Sequence, residues 1–116
     1  MSYSATCHCG AVELEVEGEI PGEAISCNCS HCRRKGFLLT FVPAEKARLT
    51  RGADQLQTYT FNKHVIQHRF CGTCGAQPLS EGKGPDGSAT VMVNLRCVVE
   101  ADLDALKIDK YDGANH

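Results

Sequence analysis

CHCGAVELEVE, residues 7–17, carries both signals that decide how this chain folds. Its second half alternates strictly, with Val12, Leu14 and Val16 at every other position and Glu13, Glu15 and Glu17 among them. Successive side chains of a strand point to opposite faces, so the pattern predicts a strand with one face buried and the other in water. Its first half sets Cys7 and Cys9 one residue apart. Thiols that close along the chain can share one ion, whereas a disulfide across a single residue is strained.

Working outwards, strand signals recur about every ten residues. They are Ala24-Ile25-Ser26 after the Pro21-Gly22 turn, FLLTFV (37–42) ended by Pro43, and KARLT (46–50) closed by Arg51-Gly52. LQTYTFN (56–62), HVIQHRF (64–70) and ATVMVNL (89–95) follow. A tight turn near Asn62-Lys63 predicts that LQTYTFN and HVIQHRF form a hairpin. EGKGPDGS (81–88) reads as a glycine-rich loop, ADLDAL (101–106) as one helical turn, and YDGANH (111–116) as a polar tail. No segment has the length and period of a sizeable helix. The expectation is a mainly β protein of short antiparallel strands, with residues 1–116 forming one domain. A chain of 116 residues buries roughly 65% of the surface it exposes when unfolded, enough for a core. With no Trp, four Phe and three Tyr, that core gains from cross-links.

Charge and composition exclude some functions. Net charge is -2 with mixed signs, which gives no overall basic field for nucleic acid; the run Arg33-Arg34-Lys35 is local. No apolar run approaches the ~20 residues of a membrane span. MSYSATCHCG has neither a basic start nor an apolar stretch of signal-peptide type. These features predict an intracellular, cytoplasmic protein without nucleic-acid or membrane partners, and no sequence feature sets an oligomeric state. In that compartment thiols stay reduced, so the eight cysteines read as metal ligands in preference to a disulfide framework.

FCGTCGA (70–76) is the clearest metal motif: Cys71 and Cys74 flank a tight turn whose glycines permit positive φ, letting backbone N–H groups face the sulfurs. It supplies two ligands and needs two more. Cys29 and Cys32 would complete a zinc ribbon and strand Cys7, Cys9 and Cys27 in separate segments. Cys7 and Cys9 would instead complete a closed four-thiol site and leave Cys27, Cys29 and Cys32 together as a compact three-thiol site. Closed sites suit structural zinc and open sites suit catalytic zinc, which favours the second partition modestly. Arg33, Arg34 and Lys35 beside that cluster would offset thiolate charge and attract an acidic ligand, though a basic run is also an ordinary solvated surface.

CHCGAV (7–12), CNCSHCRR (27–34) and HRFCGTCG (68–75), in that order and with GADQLQTY (52–59) intervening, resemble the glutathione-dependent formaldehyde-activating enzyme family, which includes centromere protein V. The resemblance covers about residues 5–113; Asn28 stands where the family often has His in its central motif. It implies a zinc-pinned β-tent of short antiparallel sheets. It further implies a structural zinc on Cys7, Cys9, Cys71 and Cys74 and a second, catalytic zinc on Cys27, Cys29 and Cys32. The implied activity is that of a carbon–sulfur lyase, joining formaldehyde to glutathione as S-(hydroxymethyl)glutathione or releasing it from such adducts. The alternative is a non-catalytic, zinc-stabilised binding or scaffold module.

Charge alone makes Arg33 and Arg34 candidates for holding glutathione carboxylates. Cys97 matches no ligand position and reads as a small buried apolar residue. His8 and His31, interleaved between cysteines, are expected to point away from the ion, with His31 the better candidate for a fourth ligand or proton shuttle. His64 and His68 are expected on a strand face or its solvent edge. Asp102 and Asp104 read as a helix-start pair.

Overall fold

In this computed structural model, residues 1–61, 65–84 and 86–115 are described. The expected turn at Asn62-Lys63, the position of His64, Pro85 of the glycine-rich loop and the terminal His116 lie outside them. The chain is mainly β. Strands β1 (Ser2–Thr6), β2 (Glu13–Glu17) and β5 (Ala47–Arg51) make a small antiparallel sheet in the order β1-β2-β5. The larger sheet holds β3 (Glu23–Cys27), β4 (Leu39–Pro43), β6 (Leu56–Tyr59), β7 (Gln67–Cys71), β8 (Leu79–Lys83), β9 (Ala89–Asn94) and β10 (Lys107–Tyr111). Its order is β10-β3-β4-β9-β8-β7-β6.

The alternation of residues 11–17 decides the packing as expected. Val12, Leu14 and Val16 are buried, and Leu14 and Val16 join Tyr3 and Ala5 of β1 on the inner face of the small sheet. Opposite them the larger sheet contributes Ala24, Leu79, Val91 and Val93, with Leu38, Leu95 and Val98 filling the ends. Val91 and Val93 point into this core, so Met92 between them points to the far face, where it packs with Phe37, Leu39 and Cys32. One face of the larger sheet therefore packs under the small sheet, and the other carries the central cysteine cluster while leaving Phe41 and Tyr59 about half exposed.

Four features differ from the sequence reading. β1 was not anticipated, because SYSAT has a short, weakly apolar inner face. β10 occupies part of the expected tail and pairs parallel to β3, so the sheet is mixed; every residue of β10 is exposed, leaving no burial pattern to read. A six-residue helix, α1 (Ser30–Lys35), fills the central cysteine motif. Glu81–Lys83 belong to β8, so the expected loop is shorter than EGKGPDGS. ADLDAL does contain its helical turn, Leu103–Ala105, with the Asp102 carboxylate accepting from Asp104 N–H at 3.2 Å.

Candidate metal centres

Two cysteine groups form at strand ends. Cys7 and Cys9 lie in the β1–β2 connection, where Cys7 N–H bonds to the Val12 carbonyl at 3.2 Å. Cys71 ends β7, and the turn through Cys74 is closed by Gly75 N–H to the Cys71 carbonyl and Cys71 N–H to the Ala76 carbonyl, both 2.9 Å. Gly75 takes the expected positive φ of 81°. Gly72 does not; a Cβ there would stand 2.8 Å from the terminal amide nitrogen of the flexible Gln57 side chain and 3.3 Å from the Gln55 carbonyl oxygen.

The sulfurs of Cys7, Cys9, Cys71 and Cys74 all lie within 4.8 Å of one another. Cys7 and Cys9 are 3.6 Å apart and Cys9 and Cys71 3.7 Å. Four sulfurs placed tetrahedrally at about 2.3 Å from one zinc ion are about 3.8 Å from each other, so the donor set fits zinc. Backbone N–H groups favour the thiolate form: Val12 donates to Cys7 at 3.3 Å and Thr73 to Cys71 at 3.4 Å. The N–H groups of Cys74 and Thr73 lower the Cys71 pKa, and those of Ala76 and Cys9 bring Cys74 down to about 6. Cys9 goes the other way: the Ala11 N–H pulls it down, but desolvation and its three thiol neighbours together push it up to about 11. This group draws two sulfurs from the small sheet's β1–β2 connection and two from the end of β7 in the larger sheet.

The second group is Cys27, Cys29 and Cys32, again within 4.8 Å. Cys27 ends β3, Cys29 caps α1 by accepting from Cys32 N–H at 3.3 Å, and Cys32 is buried in the helix. Cys29 N–H donates to Cys27 at 3.4 Å. Desolvation, the largest influence on Cys29, raises its pKa, but the N–H groups of Cys32 and His31 and the neighbouring thiols outweigh it. Cys32 is held well above the thiol range by burial and by the two other cysteines. The helix ends at Gly36, whose N–H bonds to the Cys32 carbonyl at 2.9 Å. Arg33, Arg34 and Lys35 all fall in the last turn, where positive charge suits the helix dipole. Arg33 and Arg34 are exposed; Arg34 donates to the Ser30 carbonyl at 2.8 Å, and the Lys35 ammonium sits 5.7 Å from the Phe70 ring centre.

The fold thus gathers the cysteines by the second partition, Cys7 and Cys9 with Cys71 and Cys74. Among the described residues no histidine belongs to either group. His8 is exposed, and Cys97 packs against the main core, where burial pushes its thiol up to about 11. His31 turns into an aromatic cluster, with ring centres 5.6 Å from Phe37, 5.5 Å from Tyr59, 5.2 Å from Phe61 and 4.2 Å from His68. Its Nδ1 is buried without a partner.

His68 lies on a face of β7, one of the two places expected for it, but is buried there, which the sequence reading did not anticipate. Strand register sets Tyr59, His68, Ser80, Met92 and Phe41 side by side across the larger sheet, on the face that carries α1. Gln77 Nε2 donates to Ser80 Oγ at 2.9 Å, leaving the Ser80 hydrogen for His68 Nδ1 at 3.1 Å. That assigns His68 the neutral Nε2–H form. Burial, then the nearby His31 and Lys35, bring its pKa down to about 4. The strand alternation of HVIQHRF was the available signal; the register that buries it is a tertiary property.

A surface pocket of about 400 Å³ lies elsewhere, between Met1–Ser4 and Gly18–Ile20, at the end of the β1–β2 hairpin opposite Cys7 and Cys9. It holds no cysteine. No helix among the described residues is long and apolar enough to cross a membrane.

Known proteins share this fold. A crystal structure of a Rhodobacter sphaeroides protein is 32% identical, superposes with a TM-score of 0.80, and is matched over 93% of this chain and 99% of that one. The sequence model described as "Glutathione-dependent formaldehyde-activating enzyme" matches residues 2–108. That match takes in both cysteine groups and nearly every strand, and on it the chain belongs to the glutathione-dependent formaldehyde-activating enzyme family.

Proposed function

We propose that this protein is a cytoplasmic, single-domain zinc enzyme, a carbon–sulfur lyase acting on glutathione–aldehyde adducts in the manner of an S-(hydroxymethyl)glutathione synthase. One observation carries the reading: three thiols converge at Cys27, Cys29 and Cys32 with no fourth His, Cys, Asp or Glu among the described residues, while four others form a group complete in itself. A closed group suits structure, and an open one suits chemistry.

In this proposal Cys7, Cys9, Cys71 and Cys74 hold the structural zinc, and Cys27, Cys29 and Cys32 hold the second. Zinc bound at the second site would supply Lewis acidity and favour the thiolate form of an incoming thiol. The protein's own residues do the rest. The N–H groups of Cys29 and Cys32 orient the Cys27 and Cys29 sulfurs. Burial among Phe37, Leu39 and Met92 keeps water from the inner side of Cys32. Arg33 and Arg34, exposed beside the cluster, attract the carboxylates of glutathione. In the forward direction the glutathione sulfur attacks the formaldehyde carbon, the C–S bond forms as the carbonyl π bond breaks, and the thiol proton ends on oxygen. The lyase direction reverses each change.

Metal analysis with glutathione titration tests this reading. Two zinc ions per chain and a thiol-dependent change at one of them are expected. One zinc ion and no glutathione effect would support a scaffold module instead.

A further inference from the structure

The last residues of the chain cross directly over the three-thiol group. β10 runs parallel to β3 with Tyr111 opposite Cys27, and the chain then continues across the cluster. Asn28, between two of the cysteines, binds this segment three times. Its N–H donates to the Tyr111 carbonyl at 3.1 Å, its Nδ2 donates to Asp112 Oδ1 at 2.9 Å, and its Oδ1 accepts from Ala114 N–H at 2.9 Å. The other Asp112 oxygen accepts from Asn115 Nδ2 at 2.6 Å. Both ends of the Asn28 amide are used, so neither Asp nor Ala could reproduce the set. Gly113 lies against Cys27 and Cys29: a Cβ there would stand 2.5 Å from Cys27 Sγ and 3.4 Å from Cys29 Cβ. The segment is otherwise exposed and contributes nothing to the main core.

We propose that residues 111–115 are a strap across the three-thiol site, latched by Asn28 and seated through Gly113, and that this strap sets how fast a metal ion or small electrophile reaches Cys27. Asn28 and Gly113 are positioning residues. They close the Cys27 side of the cluster, so an incoming ligand approaches from elsewhere. Only the metal part of the test rests on the function proposed above; the strap itself rests on contacts to the Cys27 sulfur.

The variants are Asn28→Ala, which removes two side-chain bonds to the strap, and Gly113→Ala, which introduces a clash with Cys27. The first measurement is zinc transfer from the purified protein to a chromophoric chelator. Two hydrogen bonds of ordinary net strength set the expected acceleration of the faster-released ion at about thirtyfold, with release from the four-thiol group unchanged. The second is iodoacetamide labelling of Cys27, followed by peptide mass, in protein carrying zinc in the four-thiol group alone; the same acceleration is expected. A tail with only a structural role would shift the melting temperature without changing these rates. Rates within twofold of the unaltered protein for both folded variants would overturn the strap. A second site that takes up no zinc, with Cys27 labelling still accelerated, would refute the zinc-enzyme reading and leave the strap standing.

Discussion

Cys71→Ser is the substitution with the largest expected effect on the fold. Cys71 is 1% exposed, at the point where the larger sheet meets the β1–β2 connection, and it shares a small cluster with Val12 and Cys7. A structural zinc contributes roughly 10–16 kcal/mol in zinc-finger peptides, so each of four ligands carries about 2.5–4 kcal/mol. A serine oxygen is a poorer zinc donor and leaves the Thr73 N–H facing a shorter side chain. Set against a total stability of about 5–15 kcal/mol, the loss lowers the melting temperature by at least about 10 °C or abolishes folding. Circular dichroism melts with zinc quantified on the same samples provide the assay. Cys29→Ser is the control: Ser is a good helix N-cap, so the cap on α1 survives and the melt shifts by about 2 °C or less while any activity is lost. A Cys71→Ser protein that keeps its zinc and melts with the unaltered protein would refute the structural role of the four-thiol group.

Further outcomes follow from the core, from His68 and from the basic residues. Leu79→Ala opens a cavity between the two sheets and should cost about 3 kcal/mol in urea unfolding; a loss below about 1 kcal/mol would show that Leu79 is not central to the core. His68, with a pKa near 4 against an ordinary 6.5, is protonated first in the unfolded chain as pH falls. Its contribution is therefore complete above about pH 6.5 and is lost towards pH 4, amounting to about 3 kcal/mol. The difference between the unaltered protein and His68→Gln isolates it from thiol protonation common to both, and parallel pH profiles would contradict it. Arg33→Ala should weaken glutathione binding about two- to fivefold at low salt, with the difference shrinking as salt is added. Unchanged affinity by calorimetry would remove Arg33 from the binding role.

Much of the fold is legible where one strand face is buried. Leu14 and Val16 announce the inner face of the small sheet, and Val12 the small cluster around Cys7 and Cys71, because alternation survives in the sequence. β10 is illegible for the converse reason: it is an exposed edge strand held by backbone pairing to β3, which any polar segment can provide. α1 is too short for a 3.6-residue period to register, leaving only its cap at Cys29 and its stop at Gly36 as local signs. The cysteine spacing left two partitions open; choosing between them required knowing that the turn after β7 reaches the β1–β2 connection, a contact across more than sixty residues, as the Cys9–Cys71 pair shows. The cross-strand row through His68, and the Asn28 link to residues 111–115, arise from register and chain path, which no local pattern encodes.

The central claim is that Cys27, Cys29 and Cys32 form an open metal site beside a closed one. Cobalt substitution with optical absorption tests it most directly, since thiolate number and geometry shape the visible bands. The account predicts two cobalt ions per chain, with added glutathione altering the bands of one and leaving the other unchanged. A single bound ion, or two ions that both ignore glutathione, would contradict it.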